Sequence, residues 1–327
     1  MPGFPDFAVV APGTVADAVA ARRAHCSSRY LAGGSDVLTA MRRGLADVEV
    51  LIDLGGIDEL RGIGERDGAL WLGAGATLAQ IEIDPLVLRH APVLAAAARG
   101  VAGPAHRSVA TLAGNLCLDT RCVFYNQSEW WRAANDHCLK LKGTVCRVAP
   151  TGERCHAAYS GDLAPALLAL GASVTVAGAV GRRELPLTEL YREDGRAPLT
   201  LAAEDLIVAV RVPRAPGTRA DYTKARVRGA IDFPLAGVAV ALRRGGEILA
   251  ALRVALTGTN SRPFVLTGTD ALLGRAPDDA ALQELDKLVQ KQVSPMRTTL
   301  APAHYRRRVA AALACRLTRA LFASAQG

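Results

Sequence analysis

The chain has 327 residues, half of them apolar but only 5% aromatic, with a formal net charge of +8. That length is enough for two or three domains, and the core must be built from Ala, Val and Leu, as in packed proteins of mixed helix and sheet. The basic balance suits an acidic partner, but no arginine block or aromatic–basic interleaving marks a nucleic-acid binder. The charge-free run 163–181 is divided by Gly171 into a helix-like PALLALGA and an alternating SVTVAG, which argues against a membrane span.

The opening MPGFPDFAVVAPGTVADA lacks the basic and apolar regions of a secretion signal. A cytoplasmic location is therefore expected. Thiols stay reduced there, and clustered cysteines read as metal ligands before disulfides.

In chain order, residues 14–24 (TVADAVAARRA) have helical spacing behind Thr14 as N-cap. A short strand at 29–31 runs into Ala32-Gly33-Gly34-Ser35-Asp36. A helix (VLTAMRRG) and a strand at 48–54 (VEVLIDL) follow. A second unit starts with two strands, LRGIG and ALWLGAG, around the turn Glu65-Arg66-Asp67-Gly68. Thr77 caps a short helix, and an alanine-rich helix is expected over 85–99. Next comes RSVATLAGN, where Gly114-Asn115 reads as a turn able to hold positive φ. The helix and strand of 163–178 close this unit. Four strands, at 206–212, 220–227, 235–242 and 247–256, then follow on short turns and read as one antiparallel sheet. Two helices, 278–293 and 303–323, end the chain. PRAPG at 213–217 marks the boundary before the last domain.

Each glycine turn has its own chemistry. Between a strand and a helix start, 32–36 lets backbone N–H groups approach a phosphate; Ser35 adds a hydroxyl donor and Asp36 suits the N-cap. It lacks the GxGxxG spacing of a nicotinamide-type fold. Taken singly, each turn is also compatible with a plain tight connection. As a pair, 32–36 and 111–115 would close on one dinucleotide from two sides, with two plain structural connections as the equal alternative.

AGGSDVL near residue 32 and SVATLAGN near residue 108 resemble the two flavin-binding motifs of the FAD-carrying subunits of molybdenum hydroxylases, among them the xanthine and carbon monoxide dehydrogenase flavoproteins. The resemblance runs on through SGDLAPALLALGASVTV and DYTKARVR, and so covers most of the chain. It implies an α+β fold: a two-part, PCMH/VAO-like FAD-binding domain, then a C-terminal domain of antiparallel sheet plus helices. The expected divisions are 1–55, 56–215 with an insertion at about 117–158, and 216–327. Carried over by position, Arg29, Tyr30, Leu31, Ala32, Gly33, Gly34, Ser35 and Asp36 would wrap the pyrophosphate and ribityl chain, and Val101 would touch the flavin. Thr111, Leu112, Ala113, Gly114 and Asn115 would form the second loop, with Ala113 where the family usually has glycine. Asp162 would bond the adenosine part and Lys224 would reach the flavin. On residue type alone, Asp162 is also a candidate helix cap and Lys224 a candidate surface lysine.

The insertion holds Cys122, Cys138, Cys146 and Cys155, with 15, 7 and 8 residues between them. A long segment of this kind is unusual unless it carries function. Four thiolates bind Zn²⁺ or a [4Fe–4S] cluster, and the spacing, with neither CxxC nor a ferredoxin run, does not choose between these and free thiols. His137 and His156 adjoin cysteines as alternative ligands, and Cys117 reads as part of the flavin-loop scaffold. Within the family, such an insertion resembles that of the 4-hydroxybenzoyl-CoA reductase flavin subunits. This implies a [4Fe–4S] cluster on the four cysteines, with Lys140, Lys142, Arg147 and Arg154 around it.

The resemblance further implies a molybdenum-cofactor subunit and a [2Fe–2S] subunit as partners in a dimer of heterotrimers, with reduced ferredoxin as donor. Electrons would run from cluster to FAD and on to molybdenum for dehydroxylation to benzoyl-CoA, and no catalytic acid or base is expected in this chain. The alternative is the FAD subunit of another molybdenum hydroxylase with a structural zinc insertion. A third, non-enzymatic possibility is a scaffold subunit.

Overall fold

The computed structural model describes residues 5–297 and 301–324. The first sheet is parallel and holds β1 (Ala8–Val10), β2 (Ser28–Leu31) and β3 (Val50–Asp53) in the order β1-β3-β2. Parallel neighbours need crossovers, and the helices Val15–Ala24 and Val37–Arg42 supply them. Thr14 caps the first as expected, accepting from Asp17 N at 3.1 Å. The sequence reading missed β1, which is only three residues long and mostly exposed, and so carries no alternation to read.

The second sheet holds β4 (Ile63–Arg66), β5 (Ala69–Gly73), β6 (Ser173–Gly178), β7 (Gly181–Pro186) and β8 (Leu206–Pro213). Their order is β4-β5-β8-β6-β7, antiparallel throughout. Asp67 and Gly68 join β4 to β5 with φ of +48° and +67°, the double positive that a two-residue hairpin turn demands. Two expectations need correction. The strand at 206–212 is not part of the C-terminal sheet: β8 lies between β5 and β6, pairing Val212 with Leu70 and Val210 with Val174. Five of its eight residues are buried and none is exposed, which fits a strand with partners on both sides and cover on both faces. The helix expected over 85–99 is two, Pro85–His90 and Pro92–Gly100. Pro92 forces Ala91 out of helical geometry, to φ −150° and ψ 57°.

The third sheet, β9 (Thr218–Ala225), β10 (Ala236–Gly245), β11 (Ile248–Thr257) and β12 (Phe264–Val265), is antiparallel in the order β12-β11-β10-β9. Val238, Val240 and Leu242 face the helices Asp279–Gln292 and Ala303–Ala323, meeting Leu285, Val289 and Ala314. The alternate residues Ala239 and Ala241 belong to the main core with the wholly buried helix Leu163–Ala169. Alanines on that face let the helix approach closely. No helix among the described residues is long and apolar enough to cross a membrane.

Candidate functional site

A cavity of about 890 Å³ opens between the first two sheets and reaches residues Ile231 and Phe233 of the loop after β9. This is the upper end of the size range of small-molecule sites. The two glycine-bearing loops form adjoining walls. Gly33 packs so tightly on Val109 that a Cβ would overlap the Val109 carbonyl oxygen, and Gly34 takes φ +71°. Thr111 opens the helix Leu112–Leu116, its hydroxyl accepting from Gly114 N at 3.2 Å. Gly114-Asn115 is therefore not a positive-φ turn but part of that helix. Ala113 sits in helical geometry too, its N–H donated to Ala74 O at 3.0 Å, so a methyl there costs nothing in φ.

Of the expected site residues, Tyr30, Ala32, Gly33, Gly34, Ser35, Asp36, Val101, Thr111, Ala113, Gly114, Asn115 and Asp162 line the cavity. Arg29, Leu31, Leu112 and Lys224 do not. Arg29 is exposed on β2, Leu31 packs toward Met41 and Leu51, and Leu112 is fully buried in the core. Asp36 occupies the N-cap position of its helix without a side-chain cap; its carboxylate instead accepts from Arg121 Nη2 at 2.9 Å. Asp162 does not cap the helix at 163 either. Asn115 does so, its Oδ1 accepting from Leu163 N at 3.1 Å, which ties the second loop to the buried helix.

The Asp162 carboxylate is buried against the ammonium of Lys224 at 2.9 Å and accepts from the Tyr222 hydroxyl at 2.5 Å. Lys224 is thus no surface lysine. Burial pushes the Asp162 carboxyl upward, while the Lys224 charge and the Tyr222 hydroxyl pull the other way. Lys224 also donates to Asp232 O at 3.2 Å, steadying the loop that carries Ile231 and Phe233. These two wall residues were missed, because nothing local in RGAIDF announces a ligand.

The insertion is ordered around its sulfurs. Cys122, Cys138, Cys146 and Cys155 are all buried. Burial raises the thiols of Cys122 and Cys155, the latter to about 12. Cys122, Cys138 and Cys155 belong to one packed cluster, and Cys146 lies near enough to bear electrostatically on both Cys122 and Cys155. Tyr125 N donates to Cys122 Sγ at 3.3 Å and Ala157 N to Cys155 Sγ at 3.4 Å, both favouring thiolates. Among the described residues, no three His, Cys, Asp or Glu side chains are placed to hold a single metal ion. Cys117 lies apart, on the wall of the main cavity, its thiol pushed up to about 12 by burial. His137 turns to Glu129, at 3.2 Å, and burial holds His156 below its usual value.

The insertion borrows its core. The thiols of Cys122, Cys138 and Cys155 pack with Tyr125, Ala157 and Ala158 onto Ala40, Leu45 and Met296 from outside it. Arg132, 1% exposed, donates to Gly44 O at 3.0 Å and pairs with Glu129 at 2.6 Å. Lys140 is buried between Asp119 at 2.8 Å and Thr120 at 2.6 Å, whereas Lys142 is largely exposed.

Comparison with known proteins places this geometry. The profile of the FAD binding domain in molybdopterin dehydrogenase matches residues 5–215, and that of the CO dehydrogenase flavoprotein C-terminal domain matches 220–321. The chain is 31% identical to the aldehyde oxidoreductase FAD-binding subunit PaoB of Escherichia coli, over 80% of this chain and 84% of that one. It is 30% identical to the carbon monoxide dehydrogenase medium chain of Hydrogenophaga pseudoflava, over 85% and 84%. The solved carbon monoxide dehydrogenase of that organism, in a form lacking the Mo-pyranopterin moiety, superposes with a TM-score of 0.81 at 26% identity, covering 98% of this chain and 99% of the other.

Proposed function

The chain belongs to the molybdenum hydroxylase family as one of its FAD-binding subunits, and from that premise we propose that it is the flavin and iron–sulfur subunit of a 4-hydroxybenzoyl-CoA reductase. The observation that carries this reading is the gathering of four buried cysteines in an insertion whose neck is bonded to the flavin loop through Arg121 and Asp36.

The cavity fits FAD. It has the volume, two adjoining loops of backbone donors, and at Gly33 a contact that excludes any side chain. Loops 32–36 and 111–115 would hold the phosphates, with Asp162 and Lys224 as a fixed polar pair beneath them. The all-thiol donor set suits a soft metal centre. Zn²⁺ carries no electrons, so beside a flavin the useful occupant is a [4Fe–4S] cluster, held by Cys122, Cys138, Cys146 and Cys155. When bound, the flavin supplies one- or two-electron exchange and the cluster one-electron exchange. The chain's own residues bind, orient and set the local charge. Lys140, buried near the thiols, lowers the cost of a thiolate at Cys155.

We place the chemistry on partners: a molybdenum-cofactor subunit that takes the thioester and a [2Fe–2S] subunit, assembled as a dimer of heterotrimers in the cytoplasm and supplied by ferredoxin. The second reading, an aldehyde-, xanthine- or CO-type flavin subunit with a zinc insertion, draws on the names of the relatives. Iron, acid-labile sulfide, zinc and flavin analysis of the purified chain decides. FAD with equal iron and sulfide is expected; FAD with zinc would establish the second reading, and a chain without flavin would sink both.

A further inference from the structure

Where the flavin loop meets the neck of the insertion, the cavity wall carries two guanidinium groups that none of the assignments above uses as ligands. Arg121 has a side chain only 10% exposed. Its Nη2 donates to Asp36 Oδ1 at 2.9 Å, but its Nη1 is buried with no hydrogen-bond partner. A charged donor left unpaired in the interior is costly, and such a group persists where something absent from the chain itself completes it. The residue is not loosely placed: Arg121 N donates to Ala158 O and Ala158 N to Arg121 O, both at 2.9 Å.

Arg43, from the end of the Val37–Arg42 helix, lines the same cavity. It donates to Asn126 O and has no carboxylate partner among the described residues. Arg132 is neutralised by Glu129 and Arg121 by Asp36, so Arg43 leaves this corner with an excess positive charge. Partial desolvation, and the like charges of Arg121 and Arg132, hold the otherwise exposed Arg43 below its ordinary value. Asn126 Oδ1 also lacks a partner, and the opposite amide orientation would offer its Nδ2 as a third donor to the cavity.

We propose that Arg121 and Arg43 form a phosphate subsite of the cavity, built jointly by the insertion and the flavin-binding fold. Arg121 lines the cavity with its Nη1 unpaired, and a small turn of the fork would bring that donor to a phosphate oxyanion, whose geometry guanidinium N–H groups match. Asp36 is the one carboxylate bonded to Arg121 in this corner, and it sets the tilt of the Arg121 fork while leaving Nη1 free. The chemistry has two sources, a phosphate of the bound FAD or a separate phosphate. Only the choice between them rests on the flavin reading.

The test uses the purified full chain. FAD affinity is measured by flavin fluorescence on rebinding to flavin-free protein, for wild type, Arg121→Gln and Arg43→Gln. A loss of about tenfold to a hundredfold in Arg121→Gln, a smaller loss in Arg43→Gln and a weaker salt dependence in both, with iron content unchanged, assign the FAD phosphate. If FAD affinity does not move, inorganic phosphate is titrated onto the FAD-loaded chain. Saturable binding that Arg121→Gln abolishes then assigns a separate phosphate. Unchanged FAD affinity together with no such phosphate binding overturns the subsite. A wild-type chain that binds no FAD would defeat the flavin reading instead, and phosphate binding to that chain would still support the subsite. Should Arg121→Gln lose its near-ultraviolet circular dichroism, Arg43→Gln, altered at an exposed side chain, carries the test.

Discussion

Gly33 and Gly34 stand side by side, yet they fail differently when substituted. At Gly34 an added Cβ meets the tip of the Leu38 side chain at 2.8 Å, which can move, and the main burden is the φ of +71°. At Gly33 it meets the backbone of Val109 and Ala110, which belongs to the other cofactor loop. Gly33→Ala should therefore separate the two loops, at about 1–3 kcal/mol of overpacking, and purify with little flavin. Absorbance at the flavin bands beside a thermal melt measures both effects. A stable, flavin-replete Gly33→Ala chain would show that the loops need not touch. Asp162 makes a second case. Asp162→Asn strands the buried Lys224 ammonium, whose side chain is 5% exposed, and should cost about 3–5 kcal/mol in denaturant unfolding. Asp162→Asn with Lys224→Met removes both charges and should recover much of that loss. If single and double variants unfold alike, the pair is not coupled.

At the scale of elements, the insertion depends on its sulfurs. Cys138 sits in a tight loop with positive φ at Asp136, His137 and Lys142, and Gly143 lies so close that a Cβ would be 2.7 Å from Cys138 N. Cys138→Ser should remove iron and leave FAD bound, since Cys138 does not line the cavity and packs in the cluster of Cys122, Tyr125 and Cys155. Chelation of the metal should raise hydrogen exchange within 122–157 and leave β10 and β11 protected; exchange spread over the whole chain would mean that the insertion holds the fold together. Much of the element plan was legible because caps and hairpin turns are local chemistry. Thr14 and Thr77 cap the helices expected of them, and the Thr77–Gln80 capping box is complete. Pairing partners were not legible: β8 follows β7 in sequence yet lies beside β5 and β6. Residue type revealed the four thiols but not Arg121, whose partner Asp36 lies 85 residues away in sequence. The Asn115 cap was hidden likewise, since it serves a helix 48 residues further on.

Across the whole molecule, the cavity is shared by three bodies of sheet, joined by one continuous apolar core and by specific polar ties. Tyr30 of the first sheet donates to Glu204 O at 2.7 Å, near the start of β8, and Lys224 of the third reaches Asp162 at 2.9 Å. The insertion adds Arg121 to Asp36 and Lys140 to Asp119, but it stands on a neck where residues 121 and 158 are paired as an antiparallel bridge. Chain ends held that way can be joined by a two-residue Asn-Gly turn. Replacing residues 122–157 by such a turn removes every proposed metal ligand and keeps Arg121, both cofactor loops and the Asp162–Lys224 pair. It also uncovers Ala40, Leu45 and Met296, which the insertion now shields, so some loss of thermal stability is expected. The shortened chain should hold no iron and bind FAD within about a few-fold of wild type, because Asn126 is the one cavity-lining residue removed, and with it the bond from Arg43 to its carbonyl, a change worth about 1 kcal/mol. Flavin fluorescence titration and metal analysis of the two proteins measure this. Loss of flavin together with iron, in a chain that still melts cooperatively, would show that the insertion builds the flavin site and does not merely adjoin it.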